Sequence, residues 1–331
     1  MKQGTRAGKG RLPAAHPRDG DPAILLSPVP PFDFGLSASI FARGDPDIRS
    51  YAEGTFRQLL RVEGLLVLVT VTSEGTVDRP RLRVRTEPAP LPPQVPGAAG
   101  RVVTRLFNLA LDLSPFVKAV EADPVMSSLV RQLRGLKPPK TSTVFEALVD
   151  SIIEQQISLS AAHSIERRFT RAFGDTLELE GRTYFAFPSP EHLAGATVDE
   201  LRGTGLSQKK AEYILGIARG VRDGTLDLEH HGPGVETGDL IRELSRLRGV
   251  GVWTAELALL RGLSRLDAIP ADDLGIRRAI TRYYSRESRI DTAEARRIAE
   301  AWGAWRGLAA YYLLVAERKG IGAPAPSNIH K

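Results

Sequence analysis

Cysteine is absent from the 331 residues, which removes disulfides, thiol nucleophiles, zinc ribbons and cysteine-ligated iron–sulfur clusters together. No stretch reaches eighteen consecutive apolar residues, so no membrane-spanning helix and no membrane partner are expected. The first twenty residues are basic and lack an apolar core, so they do not read as a secretory signal, and a cytoplasmic protein is the starting position. Neither the Rossmann nor the P-loop glycine fingerprint follows a strand. Charge is only mildly one-sided: Lys plus Arg is 45, Asp plus Glu 39, the formal net charge is +6 and the pI is near 9.6. That balance favours a polyanionic partner without establishing one. What is present is 42% apolar and 25% charged residues, the mix of a globular protein, in a chain long enough for two or three domains.

Residues 1–30 are rich in Gly, Pro, Arg and Lys without periodicity and read as a disordered basic tail, either a DNA tether or a solubilising extension. Residues 31–100 read as a small β-rich domain and a linker. Phe32–Ile40 alternates like a strand, Thr55–Val62 and Leu65–Thr72 flank a Glu63-Gly64 break, and Arg81–Arg85 puts three arginines on one strand face. That face suits phosphates or water. Glu87–Gly100 carries five prolines and reads as the linker. From 101 to 331 the period becomes helical, and the second half reads as all-α. Thr141-Ser142-Thr143 precede a helix through Phe145, Leu148, Val149, Ile152, Ile153, Gln156 and Ile157, and a second helix through Ile165, Phe169 and Phe173 closes at Gly174. Further helices are expected over 208–221, 239–247, 253–262, 273–284, 292–302 and 305–318.

Leu201–Gly205 (Leu-Arg-Gly-Thr-Gly) is echoed by Leu247–Gly251 (Leu-Arg-Gly-Val-Gly), each ahead of a helix, as if one turn device were used twice. Glycines before a helix permit close backbone approach, and the unpaired N–H groups of the helix start attract a phosphate; a plain C-cap and turn is the alternative. Asp272-Asp273 stands at another helix start, where one carboxylate suffices as a cap and the second is free to point elsewhere.

Leu247–Thr254 followed by Asp273 strongly resembles the helix-hairpin-helix DNA glycosylase superfamily, most closely its alkylation-repair branch of the DNA-3-methyladenine glycosylase II type. Gln155-Gln156-Ile157-Ser158, Phe187–Leu193, Gly205–Ile214 and Ala301–Arg306 fit as well, so the resemblance is specific from about Phe145 to Arg318. It implies an α+β fold: a mainly helical helix-hairpin-helix core behind a small N-terminal β-rich domain like half of a TATA-binding protein. It implies Asp273 as the catalytic carboxylate with Asp272 as structural neighbour, and backbone of Gly249, Val250, Gly251, Val252 and Thr254 as the phosphate-binding hairpin. Trp253, Leu257, Tyr311, Tyr312 and Leu314 become base-pocket candidates, with core packing as the alternative for the two tyrosines. Leucine at 257 and 314, where the best-known member has aromatics, bears on substrate range. Gln155, Gln156 and Ile157 are the segment that enters the gap left by a flipped base; for Gln156 the alternative is an ordinary helix-end residue.

The implied activity is monofunctional hydrolysis of alkylated bases, of the 3-methyladenine and 7-methylguanine type, from damaged double-stranded DNA. The implied enzyme is monomeric. No cofactor or metal is expected, beyond a monovalent cation that the family's hairpin can hold through backbone carbonyls. Two rivals remain: a glycosylase for oxidised, deaminated or mismatched bases, and a non-catalytic DNA-binding protein. Trp253 in place of a lysine speaks against a strand-nicking member, and Asp273 against a mere binder. His230-His231 reads as a solvated loop, and Arg167, Arg168 and Arg171 as either a DNA-facing or a solvated helix face.

Overall fold

The computed structural model describes residues 23–229, 234–285 and 289–322; the His230-His231 pair and residues 1–22 of the expected tail lie outside them. The fold is α+β. Its first unit is an antiparallel sheet of β1 (Ile24–Leu26), β2 (Arg49–Ala52), β3 (Thr55–Val62), β4 (Leu65–Ser73) and β5 (Leu82–Glu87), in the order β1-β5-β4-β3-β2. Helices α1 (Phe34–Ala38) and α2 (Gln94–Leu106) belong to the same unit. Phe56, Leu60, Val67, Val69, Val71 and Val84 point from the sheet into a core shared with α2's Val95, Ala99 and Val103 and with Phe107.

Four expectations are corrected here. The tail does not run to residue 30, because Ile24–Leu26 pairs with β5 and its two inward side chains join the sheet core. Phe32–Ile40 is not a strand: Asp33 caps α1 through the Leu36 N–H at 2.8 Å, and this local cap outweighs the alternation. The boundary at 100 falls inside α2, which starts at Gln94 directly after Pro93. Proline costs little at a helix start, where its missing N–H would be unpaired anyway. Finally, the second half is not all-α. Strands β6 (Thr176–Leu179) and β7 (Arg182–Phe185) form a hairpin whose Leu177, Leu179 and Tyr184 pack under Leu59, Leu66 and Leu68, covering the sheet's other face.

The helices α3 (Ser114–Ala119), α4 (Pro124–Gln132), α5 (Val144–Glu154), α6 (Leu159–Phe173), α7 (Pro190–Ala194), α8 (Val198–Gly203), α9 (Gln208–Arg222), α10 (Thr237–Leu244), α11 (Val252–Ala258), α12 (Leu274–Tyr284), α13 (Thr292–Ala299) and α14 (Arg306–Arg318) are the remaining α-helices of the described residues. They build two separate apolar cores. One gathers α5 to α11 around Leu148, Ile152, Phe169, Ile214 and Ala255. The other gathers α3, α4 and α12 to α14 around Phe116, Leu129, Ile280, Trp302 and Tyr312. The chain crosses between them over Leu266–Ile269: Leu266 packs against the second core, Ala268 is the last buried residue of the first, and Ile269 is the first fully buried one of this pass through the second. Asp272 and Asp273 come immediately after that crossing.

Candidate active site and nucleic-acid interface

The hairpin leading into α11 is shaped by two glycines with different duties. Gly249 has φ +87°, and a β-carbon there would stand 2.0 Å from the Tyr213 ring, so glycine is required both for the conformation and for packing. Gly251 is exposed, and a β-carbon on it would meet no protein atom within 4 Å. The echo at Leu201–Gly205 is therefore not the same device: there the second glycine, Gly205, carries the positive φ, of 102°. α5, α6, α9, α12 and α13 each receive a side-chain cap, but α11 opens on Gly251 with none. Its first N–H groups thus have no side-chain acceptor, and the start is marked by Gly251 and by Val252, which is 48% exposed. Val250 and Thr254 turn the other way, into the first core. An uncapped helix start with an exposed first residue suits an anionic oxygen.

Asp273 is the cap of α12 and follows the crossing between the two cores by four residues. Its Oδ1 accepts from the N–H groups of Gly275 and Ile276 at 2.8 and 3.0 Å. Those two bonds fix the plane of the carboxylate, and its Oδ2 makes no hydrogen bond among the described residues. Asp272 is spent elsewhere, accepting from the Thr292 hydroxyl at 2.7 Å. Which of the pair caps was open in the sequence: Asp273 does the capping, and Asp272 ties the segment to α13. Leu274, 71% exposed, projects from the first residue of α12.

Behind the site lies a buried charge system. Glu256 of α11 meets Arg296 of α13 through two bonds of 2.8 and 2.9 Å, and Arg296 also donates to the Ile269 carbonyl. Burial pushes the Glu256 carboxyl up, and the Arg296 guanidinium opposes this. Arg261 lies in a π-helical turn, Leu259–Leu263, that continues α11, and reaches Glu154 at the end of α5. Such turns recur at functional sites.

The five pocket candidates divide. Leu314 lies beside α12, where a β-carbon on Gly275 would stand 3.4 Å from it. Tyr311 is half-buried, with its hydroxyl pushed well above the usual phenol range by desolvation. Trp253 is half-buried, and its indole N–H finds no acceptor among the described residues. Leu257 is 6% exposed. Tyr312 is corrected: it is 1% exposed, donates to the Leu136 carbonyl at 2.8 Å and packs edge-on against Phe116. Core packing claims it, so it does not line a pocket.

The segment after α5 also divides. Gln155 turns inward, its Nε2 donating to the Gly249 carbonyl at 2.9 Å and to the Thr254 hydroxyl at 3.0 Å. It is a brace for the hairpin and not part of an entering tip. Gln156 and Ile157 are corrected in one respect: they do not continue the helix, which ends at Glu154, but follow it, exposed, with Gln156 at φ +56°. Leu159, 61% exposed, extends this surface; sequence reading missed it, although an apolar first residue after the Ser158 cap was the available signal. Arg171 is engaged with Asp45 and Asp47, and Arg168 with the Thr204 carbonyl, so neither is an unattached DNA-facing cation. Arg81 and Arg83 share Glu74.

No described group of three or more His, Asp or Glu side chains could hold a metal ion, and no described helix is long and apolar enough to cross a membrane. Residues 149–304 match the family model of the HhH-GPD superfamily base excision DNA repair protein. A DNA-3-methyladenine glycosylase of Bacillus subtilis is 35% identical over 207 residues, 62% of this chain and 68% of that one. DNA-3-methyladenine glycosylase 2 of Escherichia coli is 26% identical over 289 residues, covering 87% of this chain and 95% of its own. Among solved structures, the 3-methyladenine DNA glycosylase of Archaeoglobus fulgidus superposes with a TM-score of 0.76 at 24% identity, over 91% of this chain and 100% of that one.

Proposed function

Because this chain belongs to the HhH-GPD superfamily of base excision DNA repair proteins, we propose that it is a DNA N-glycosylase that flips alkylated bases out of duplex DNA and hydrolyses their N-glycosyl bond. The observation that carries the reading is the carboxylate of Asp273, oriented by two backbone donors where the chain has just crossed between the two helical cores. The Gly249–Thr254 hairpin holds the backbone of the strand through the uncapped N–H groups at the start of α11, fixing register without reading sequence. The lesion leaves the stack, at a cost of a few kcal/mol that is least at damaged pairs. Gln156 and Ile157 fill the vacated space.

As the C1′–N bond lengthens, its electron pair leaves with the base and positive charge grows on the sugar. Asp273 stabilises that charge and orients the water whose oxygen bonds to C1′, accepting its proton on the way to solvent. A methylated purine already carries positive charge, so its departure needs no strong acid. Trp253 stands where a lysine would form an imine, so water is the nucleophile and the product is an intact abasic strand. With Leu257 and Leu314 as walls, the pocket offers less cation–π attraction than an aromatic one, which favours bases that leave readily. The Leu247, Gly249 and Gly251 carbonyls each accept one hydrogen bond within the protein and keep a second lone pair, which a monovalent cation can use. The enzyme works as a cytoplasmic monomer.

The test is release of free base from duplexes carrying 3-methyladenine, 7-methylguanine, ethenoadenine, hypoxanthine, uracil and 8-oxoguanine. Methylated purines should be released fastest. Release confined to 8-oxoguanine or uracil would reject the alkylation reading.

A further inference from the structure

Lys210 occupies an expensive place. It sits in the first turn of α9, the positive end of that helix, where its own macrodipole disfavours a cation. It is also half-buried, and desolvation holds its ammonium below the usual lysine range. What offsets these costs is on another helix. The Lys210 Nζ donates to the carbonyls of Ile153 at 2.9 Å and Gln155 at 2.7 Å, the oxygens left unpaired where α5 ends. The ammonium therefore serves as a C-cap for α5, supplied by α9.

The next residue along from those carbonyls is Gln156, a non-glycine at φ +56° with an exposed side chain. A left-handed residue persists only where its surroundings over-determine it. Two ties do so here, from different directions. Lys210 grips the backbone on one side, and the Gln155 amide grips the hairpin at Gly249 and Thr254 on the other.

We propose that Lys210 is a positioning residue: by clamping the end of α5, it holds the Gln156–Ile157 tip in the conformation that enters the duplex, so that hairpin docking and tip insertion are mechanically one event. This rests on the glycosylase reading, but concerns insertion, which can be measured without base release. A tip already ordered loses no backbone freedom on entry, so the clamp acts on DNA with a vacated or extruded position and not on plain duplex.

The experiment compares affinity for a duplex containing a tetrahydrofuran abasic analogue with affinity for the same duplex fully paired. Lys210→Met should lose most of wild-type preference for the analogue, about tenfold, the size of one charge-assisted hydrogen bond as an affinity ratio, while plain-duplex affinity stays within about twofold. Lys210→Arg, which keeps two donors, should restore most of the preference. Where Lys210→Met releases methylated base, it should slow more on well-paired lesions than on mismatched ones. Equal loss for both duplexes, or Arg behaving as poorly as Met while both melt like wild type, would overturn the clamp. If Lys210→Met does not fold, the Arg variant decides on the same affinity ratio: preserved preference supports the clamp, and lost preference in a folded protein rejects it. Absence of base release by the wild type would instead reject the glycosylase reading and leave the affinity ratio readable.

Discussion

Glu256 and Arg296 face each other in a two-pronged ion pair across the segment that delivers Asp273. The glutamate is 4% exposed at its side chain and the arginine 37%. One partner belongs to α11, directly after the Gly249–Gly251 turn, and the other to α13, whose Thr292 holds Asp272. The pair thus joins the element that would hold DNA to the element that places the carboxylate, and the Arg296 bond to the Ile269 carbonyl fastens the crossing itself.

Removing the arginine leaves a carboxylate buried without its partner. Arg296→Met should destabilise the protein by about 1–3 kcal/mol, less than the ~3–5 kcal/mol of a fully buried pair because Arg296 is partly in water. Urea denaturation measures this. Adding Glu256→Gln should recover part of the loss; a double variant as unstable as the sum of both singles would show that the two do not act as a pair.

Asp273→Asn should abolish base release while leaving affinity for lesion duplex within a few fold, because the carboxylate acts on transition-state charge. Asparagine also caps helices, so the melting temperature should hardly move, whereas Asp273→Ala should cost about 1 kcal/mol. Asp272→Asn should weaken only the bond to Thr292, and release should persist. Swapped phenotypes would move the catalytic role by one residue.

The two hairpin glycines should fail differently. Gly251→Val has free space within the protein, so it should fold normally yet bind lesion and plain duplex more weakly to the same degree. Gly249→Ala would strike the Tyr213 ring and should lower the melting temperature before binding is even measured. Normal plain-duplex binding by Gly251→Val would remove the hairpin from the DNA interface. In wild type, the slope of log affinity against log salt should be about −0.9 per phosphate neutralised.

Borohydride trapping should give no covalent adduct on any substrate that is processed, and the product strand should break only after alkali. No lysine lies between Lys210 and Lys319, and Trp253 offers no amine. A trapped band that survives mutation of Lys209, Lys210, Lys319 and the amines of the N-terminal tail would establish a lyase.

Lys137 is wholly buried, donating to the Val29 and Leu109 carbonyls and lying 5.6 Å from the Phe32 ring centre. Burial pushes its ammonium down to about 8 from an ordinary 10.5. Between those values the unfolded chain binds more protons than the folded one. Stability from this group should therefore rise with pH from about 8 to 10.5 and stay flat below 8. The difference in urea midpoint between wild type and Lys137→Met should grow over that window; a constant difference would show that Lys137 does not titrate there.

The motif around Gly249 and Asp273 was legible because its signals are local: glycines at a turn, a carboxylate at a helix start, a helical period on each side. Thr143 and Gly174 marked helix ends for the same reason, since a cap is decided within a few residues. The hairpin at Glu180-Gly181 could have been found too. Glu53-Gly54, Glu63-Gly64 and Glu180-Gly181 each turn a hairpin with positive φ at both residues, and only the middle one was recognised. What sequence alone could not decide was the direction of equivalent side chains. Gln155 and Gln156 are adjacent and identical in kind, yet one braces a carbonyl 94 residues away while the other faces solvent. Tyr311 and Tyr312 are adjacent as well, and Tyr312 is claimed by a carbonyl 176 residues distant. The reach of Lys210 to the end of α5 spans 57 and 55 residues. Periodicity and capping are properties of a few neighbouring peptides, so the chain carries them in order along its length. A hydrogen bond between distant elements exists only once the core that joins them has packed, and it is that packing which divides each pair of like residues into one tied inward and one left without such a tie.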